Sequence, residues 1–346
     1  MRLDMNLSLP MRCFNVINII SDSDFSCRLQ LSMRYGSGEA TVYQLSPAVL
    51  VAFFDFRGKV YLLNPNRRKN IWEINYGIQG CCEHELRNDR FQFIGKGDLS
   101  FNMESNHTCE TILPMGFYKG VGIVVDIHNQ AALEKIFSKA VGLDFEKMAA
   151  KFQSYGQEFF ISLENGIQNF YQIPAFLCER DKIQWLRMQV ESLLFYLDRC
   201  PQSQMKLKKA YEPHQVEIVK DIHEELISHL DIRLNIENMA KKHYISSTKL
   251  KIMFKEIYGK PIGTYMKYYR IRKAAQELKE GKVNISVLSR SLGYQSPSKF
   301  CAAFKEIMGT TPSSYFKKNQ NASSLSRPED GQEALDSMPL GHVHPM

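Results

Sequence analysis

The sequence predicts an α+β protein, with a β-rich, barrel-like N-terminal domain followed by helices and then an all-α C-terminal domain. Three observations carry that reading. Short alternating runs punctuated by Gly, Asn and Asp recur between residues 40 and 127, the texture of a barrel or sandwich. One helical unit occurs twice between residues 246 and 315, as a duplicated supersecondary element does. Positive charge collects on that duplicated region. A chain of 346 residues is also too long for one ordinary core and suggests two domains.

The strand signals come first. Residues 40–45 alternate, and 49–56 form an apolar run closed by Arg57-Gly58. Residues 72–77 and 83–86 are further candidates. Residues 90–94 alternate up to the turn Gly95-Lys96-Gly97-Asp98, and 99–103 and 118–127 continue the series. From Gln130 the pattern turns helical, over 131–140, 145–153, 163–171 and 181–200. The last has Ile183, Leu186, Val190, Leu193, Leu194 and Leu197 on one side, an amphipathic stripe that covers its own barrel or, alternatively, pairs with a second subunit. Residues 201–213, with Lys206, Lys208 and Lys209, have linker composition. Residues 319–346 are polar and rich in Ser, Pro and Gly, as a disordered tail is. The expected division is therefore 1–200 for the β-rich domain with its helices, the domain to which the family resemblance given below assigns sensing or dimerisation, 201–213 linker, 214–318 helical domain and 319–346 tail.

The duplicated unit is specific in detail. Ser246, Leu250 and Phe254-Lys255-Glu256-Ile257 lead to Gly259; Ser296, Phe300 and Phe304-Lys305-Glu306-Ile307 lead to Gly309 with the same spacing. Each Ser is a helix N-cap, and Pro297 stands at the first helical position, where its missing N–H costs nothing. Leu250, Met253, Phe254 and Ile257, and in the second copy Phe300, Ala303, Phe304 and Ile307, follow the i, i+3, i+4, i+7 pattern of one buried face. The glycines end the helices. Upstream of each lies a shorter helix and a turn, at 236–243 with Tyr244-Ile245 and at 285–292 with Gly293-Tyr294. Small residues, Ala240 and Ser289, sit where the two helices cross. This is the helix-turn-helix pattern, whose second helix enters the DNA major groove. Residues 264–279 form a helix joining the units, stopped at Gly281.

The charge distribution agrees. Residues 213–318 hold 19 Lys and Arg against 10 Asp and Glu, a net +9, whereas residues 1–212 carry +1 and residues 319–346 carry −3. The excess lies where phosphate binding would need it. The eight cysteines show no Cys-x-x-Cys or zinc spacing, so reduced thiols in a cytoplasmic protein are expected. No signal peptide is legible at the start, and no run approaches a membrane span.

Residues 236–316 resemble the DNA-binding domain of AraC-type (AraC/XylS) transcription regulators. The resemblance is carried by Met239-Ala240, Ser246, Leu250, Phe254-Lys255, Gly259, Tyr265, Arg270, Ala274 and Leu278. In the second unit it is carried by Leu288, Gly293-Tyr294, Ser298, Phe300, Phe304-Lys305, Gly309, Thr311-Pro312 and Tyr315. Two departures are Ser289 for the usual Ala and Pro261-Ile262 for a polar residue followed by Pro. The stretch 293–305, with Gly36-Ser37-Gly38, Gly80-Cys81-Cys82-Glu83, 96–100 and 118–121, is similar to the pyochelin-regulator branch. That resemblance implies a small-molecule effector, a ferric siderophore in that branch, and double-stranded DNA and RNA polymerase as partners, with a homodimer as a further state.

The outward positions of the first recognition helix are Ser247, Thr248, Lys251 and Ile252, and the resemblance points to the last three as base-facing. Lys251 can donate to guanine O6/N7, Thr248 can donate or accept, and Ile252 can pack on a thymine methyl. The alternative for Lys251 is a solvated or phosphate-bound lysine. The second helix offers Pro297, Ser298, Cys301 and Ala302, with Ala302 placed as the counterpart of Lys251. Side chains this small point to shape readout, and Cys301 reads as an ordinary small helical residue. Ser246, Lys255, Ser296, Lys299 and Lys305 are placed for phosphates.

An enzyme reading is the alternative from another class. A barrel of this kind can be a cupin, whose metal needs a His-x-His pair, a Glu and a distant His. His84-Glu85 with His107 and Cys109 is the nearest set and lacks the spacing, and His342 and His344 lie in the tail. No P-loop, nucleophile-elbow or dinucleotide fingerprint occurs. No catalytic residue, metal site or cofactor is therefore expected, and the sequence leaves the effector-binding residues unassigned. A regulator whose N-terminal domain only dimerises or contacts a protein remains a third reading.

Overall fold

The computed structural model describes residue 9 and residues 13–63, 71–86, 88–103, 110–137, 141–153, 158–162, 171–201, 203, 205, 207–232, 235–281 and 284–323. The chain divides into two compact units, 1–212 and 213–346.

The first unit is an antiparallel sheet of eleven strands: β1 (Val16–Asp22), β2 (Cys27–Leu31), β3 (Met33–Ser46), β4 (Val49–Leu62), β5 (Ile71–Gly80), β6 (Cys82–Glu85), β7 (Phe91–Ile94), β8 (Asp98–Asn102), β9 (Glu110–Ile112), β10 (Phe117–Asp126) and β11 (Glu158–Ser162). The main path runs β1-β2-β3-β4-β10-β5-β8-β11, with β9, β6 and β7 branching from β4. No pairing joins β1 to β11 among the described residues, so the strands form an open path rather than a closed barrel.

β4 explains the shape. It pairs with β10 from Val49 to Arg57 and with β9 from Val60 to Leu62. It can serve both because it pairs Gly58 against Gly36 of β3. Both glycines have positive φ, and a Cβ on Gly36 would fall 2.0 Å from the Arg57 carbonyl oxygen, so only glycine permits this approach. The 49–56 run is apolar without alternation because both faces of the sheet are covered. Trp72, Ile74, Val121 and Ile123 pack with helices, whereas Leu50, Phe56, Tyr118 and Val124 pack with β2 and the segment around Cys13 and Phe14.

Three helices follow the strands: α1 (Gln130–Ile136), α2 (Phe145–Gln153) and α3 (Glu179–Arg199). In α3 the expected stripe, Ile183, Leu186, Val190, Leu193, Leu194 and Leu197, is buried against the unit's own sheet. Each such side chain contributes roughly 1.5–3 kcal/mol. Lys151 of α2 donates to the carbonyls of Leu197, Asp198 and Cys200 at 2.6–2.8 Å, capping α3 with positive charge where its dipole is negative. The expected helix at 163–171 falls almost wholly outside the described residues.

The stretch expected as a linker is docked on the sheet. Tyr211 exchanges two 2.8 Å backbone bonds with Phe91, Gln92 donates to the Lys208 carbonyl at 2.7 Å, and Lys208 pairs with Asp98 while donating to the Phe93 carbonyl at 2.7 Å. Met205 and Tyr211 are buried. Its composition suggested a linker, but Lys208 helps to fasten it; Lys206 lies outside the described residues.

The second unit contains α4 (Pro213–Ser228), α5 (Ile236–Lys242), α6 (Ser247–Tyr258), α7 (Ile262–Lys279), α8 (Ile285–Ser291), α9 (Pro297–Met308) and α10 (Pro312–Ser323). α4 was not anticipated, although Val216, Val219, Ile222 and Leu226 form its buried face. The joining helix begins at Ile262, two residues earlier than expected. α10 carries helix to Ser323, into the stretch expected as a disordered tail; residues 324–346 lie outside the described residues.

Candidate nucleic-acid interface

Both recognition helices are built as their sequences require. The Ser246 hydroxyl accepts from Lys249 N at 3.2 Å and the Ser296 hydroxyl from Lys299 N at 3.3 Å. Gly259 and Gly309 end the helices at φ 70° and 72°, the left-handed conformation that glycine adopts at least cost. Leu250, Met253, Phe254 and Ile257 of α6, and Phe300, Ala303 and Phe304 of α9, are buried; Ile307 is half-buried.

Burial on one face fixes what the other presents. On α6, Thr248, Lys251, Ile252 and Lys255 are exposed on one stripe, and Ser247 is half-buried beside it. On α9 the stripe is Ser298, Cys301, Ala302 and Lys305, with Lys299 exposed alongside. The offset from Ser246 to Ser296 holds along both helices, so the counterpart of Lys251 is Cys301, and Ala302 answers Ile252. This corrects the pairing of Lys251 with Ala302. Cys301 is also half-buried against the second unit's core, which leaves α9 with less reach than α6. Cys301 is in no disulfide.

The scaffold behind α6 is aromatic. His223 of α4 stacks on Tyr258 at 4.2 Å and shares a 2.9 Å hydrogen bond with the Tyr265 hydroxyl of α7. Burial pushes His223 down to about 4 and the Tyr265 hydroxyl well above its ordinary range. The Glu224 carboxylate lies 3.6 Å from the other imidazole nitrogen but is half exposed, and burial outweighs it. Arg270 faces inward: it donates to the carbonyls of Leu230 and Ile232 at 3.0 and 3.1 Å and so holds the loop after α4. Lys267 of α7 pairs with Glu306 of α9 at 2.7 Å, a surface bridge worth little energy that links the joining helix to the second recognition helix.

The first unit holds a cavity that no sequence pattern marked. It is lined by Phe14, Phe54, Phe56, Tyr61, Glu73 and Tyr118, among others. Its enclosed volume is about 60 Å³. The lining comes from strands far apart in sequence, and no local spacing could reveal it. Among the described residues no group of three or more His, Cys, Asp and Glu is placed to hold a metal, and His107, Cys109, His342 and His344 lie outside them. No described helix is long and apolar enough to cross a membrane.

The paired capped helices define a helix-turn-helix protein, and residues 239–318 match the helix-turn-helix domain family. The chain is 33% identical over 102 residues to the regulatory protein SoxS of Escherichia coli K12, covering 30% of this chain and 94% of SoxS. It is 38% identical over 82 residues to the F1 operon positive regulatory protein of Yersinia pestis, covering 24% of this chain and 27% of that protein. It is 31% identical over 114 residues to the transcriptional regulator Rob of Salmonella typhimurium, covering 33% and 39%. Among solved structures it is similar to a regulator with an AraC-type DNA-binding domain from Chromobacterium violaceum, at 17% identity, covering 30% of this chain and 92% of that one, with a TM-score of 0.28. The chain belongs to the AraC/XylS family of DNA-binding transcription regulators. It spans less than half of the F1 operon protein and of Rob.

Proposed function

We propose that this protein is a sequence-specific transcription regulator whose second unit places α6 and α9 in successive major-groove segments of double-stranded DNA, under the control of a small molecule bound to the first unit. The observation that carries the DNA-binding part is the pair of exposed stripes, Thr248-Lys251-Ile252-Lys255 and Ser298-Cys301-Ala302-Lys305, on a region of net +9. Thr248, Lys251, Ile252, Ser298, Cys301 and Ala302, with Ser247 beside them, face bases. Ser246, Lys255, Ser296, Lys299 and Lys305 meet phosphates. The unit from Pro213 onward folds by itself in this reading, and RNA polymerase is its partner on DNA.

Effector control is supported by the cavity and by the docked segment before the second unit. That segment is fastened to β7, whose Ile94 lines the cavity together with Cys82 and His84 of β6, so a ligand there would bear on the chain just ahead of Pro213. The similarity to the pyochelin-regulator branch makes a ferric siderophore one candidate effector. A homodimer through α3 is favoured by Met188 and Phe195, which are 55% and 43% exposed.

Fluorescence anisotropy of the full chain with a DNA site tests the core of this reading. With roughly six phosphates neutralised, log K falls with log salt at a slope of about −5. A flat salt dependence removes DNA binding.

A further inference from the structure

The turn of the first helix-turn-helix holds an outlier that the fold itself does not use. Tyr244 is left-handed, at φ 54°, a conformation that a bulky side chain adopts only at a cost. Packing does not offset that cost, because Tyr244 is 99% exposed. The second copy shows what the turn needs. Its left-handed residue is Gly293, at φ 73°, and the closing bond is the same: Tyr244 N donates to the Lys241 carbonyl at 3.1 Å, and Gly293 N to the Arg290 carbonyl at 2.9 Å. Glycine therefore closes this turn without a side chain. Among the described residues the other left-handed non-glycines are Asp89, of a type that tolerates such turns, and Tyr35, within β3 of the first unit. Of the three, Tyr244 is the one beside a recognition helix.

A backbone cost kept without a packing return points to a contact outside the chain. The place of Tyr244 says which. In a helix-turn-helix the first helix crosses the DNA backbone, and the N-terminal residues of the second enter the major groove. Tyr244 lies between them: it follows His243, the C-cap of α5, and stands two residues before Ser246, the N-cap of α6. That position is the lip of the groove. The charge around it suits phosphate. Lys241 is exposed, and Lys242 stays 64% exposed while paired with Glu225 at 2.9 Å. We propose that Tyr244 is a DNA-contact residue. Its hydroxyl donates to a phosphate oxygen at the flank of the half-site that α6 reads, and its ring packs on the adjoining deoxyribose. Tyrosine is among the side chains that make such contacts. Being neutral, it releases no counterion and adds affinity without steepening the salt dependence. The second copy cannot make the same contact, since a Cβ on Gly293 would meet the Leu230 carbonyl oxygen at 2.5 Å. The two half-sites are thus gripped unequally. The assignment rests on the DNA-binding reading of the second unit.

Thermal melts and fluorescence anisotropy of the full chain test it together, on a DNA site that the parent selects from a randomised library. Tyr244→Gly melts higher than the parent yet binds that site about tenfold more weakly, the loss of a hydrogen bond with the packing beside it. Tyr244→Asn, which tolerates the left-handed turn without the freedom of glycine, loses as much. Tyr244→Phe keeps the ring and melts like the parent, and it binds about two- to tenfold more weakly for want of the hydroxyl. All three keep the parent's preferred sequence and salt slope, whereas Lys305→Ala lowers the slope by about one. Parent-like affinity in the variants overturns the contact and leaves DNA binding intact. Weakening in Tyr244→Gly alone assigns the effect to backbone freedom, and an unaffected Tyr244→Phe removes the phosphate bond; either result overturns the proposal. So does a changed preferred sequence, which moves Tyr244 to the bases, or a Tyr244→Gly that melts lower, which gives the ring to the fold. A parent that selects no site, or binds with no salt dependence, overturns the DNA-binding reading and the contact with it.

Discussion

The first helix-turn-helix unit turns in one residue fewer than the second. From α5 to α8 every position is offset by 49, whereas the capping serines and everything after them are offset by 50. Both turns keep the same hydrogen bonds: Tyr244 N to Lys241 O and Ile245 N to Ala240 O in one, Gly293 N to Arg290 O and Tyr294 N to Ser289 O in the other. The left-handed position falls on Tyr244 at φ 54° in the first unit and on Gly293 at φ 73° in the second. With its extra residue the second turn folds Tyr294 onto Phe300, edge-on at 5.4 Å. Tyr244 stands 99% exposed. The recognition helices diverge in the same sense. α6 presents Lys251 and Ile252, and α9 presents Cys301 and Ala302 in their places. A duplicated scaffold can keep its caps and core while one copy specialises in donors and the other in close approach.

The largest expected effect tests whether the two copies share one structural logic. Phe254 and Phe304 are both fully buried, so Phe254→Ala and Phe304→Ala should each cost about 3–5 kcal/mol in urea unfolding followed by circular dichroism. A loss confined to one of them would break the equivalence of the cores.

A second measurement exploits a difference. His223 packs behind α6 on Tyr258, whereas Phe300 and Phe304 of α9 pack on Tyr294 and Tyr315. The folded-state value of His223, about 4, lies below the unfolded 6.5, so the unfolded chain binds the proton first. The stability this gives is complete above pH 6.5 and falls between pH 6.5 and 4, by roughly 1.4 kcal/mol per pH unit. His223→Phe should flatten that slope in thermal melts of the full chain over the same range, and an unaltered slope would place the titration elsewhere.

The turns give the smallest effect. Tyr244→Gly relieves a left-handed tyrosine and should stabilise by about 1 kcal/mol. Gly293→Ala should destabilise by more than that, because its Cβ would meet the Leu230 carbonyl oxygen at 2.5 Å. Melting temperatures that move the same way for both would refute the difference between the turns.

What could be read in the sequence was local. Ser246, Ser296, Gly259 and Gly309 act within one helical turn of themselves, and the stripes of α3, α6 and α9 follow from periodicity alone. What escaped was tertiary. Lys208 looks like a linker lysine until Asp98, far earlier in the chain, meets it. Arg270 carries a family resemblance, yet its guanidinium is bound to the loop after α4. Glu73, Tyr61 and Tyr118 enter one cavity only through the register of β5, β4 and β10. The α4 stripe from Val216 to Leu226 was legible in principle, but it begins at Pro213, where composition suggested a linker. Cys301 could have been matched to Lys251 by counting from the caps.

The central claim, that α6 reads bases by donors while α9 reads by shape, is tested most directly by selecting a randomised DNA library with the parent, Lys251→Ala, Ala302→Ser and Lys305→Ala. The account predicts that Lys251→Ala changes base preference in one half of the site, at about 1–3 kcal/mol. Ala302→Ser should change the preference little, and Lys305→Ala should weaken all sequences alike, as loss of a phosphate contact does. A Lys251→Ala protein that binds every sequence more weakly with the same preferred site would contradict the claim and place Lys251 among the phosphate contacts.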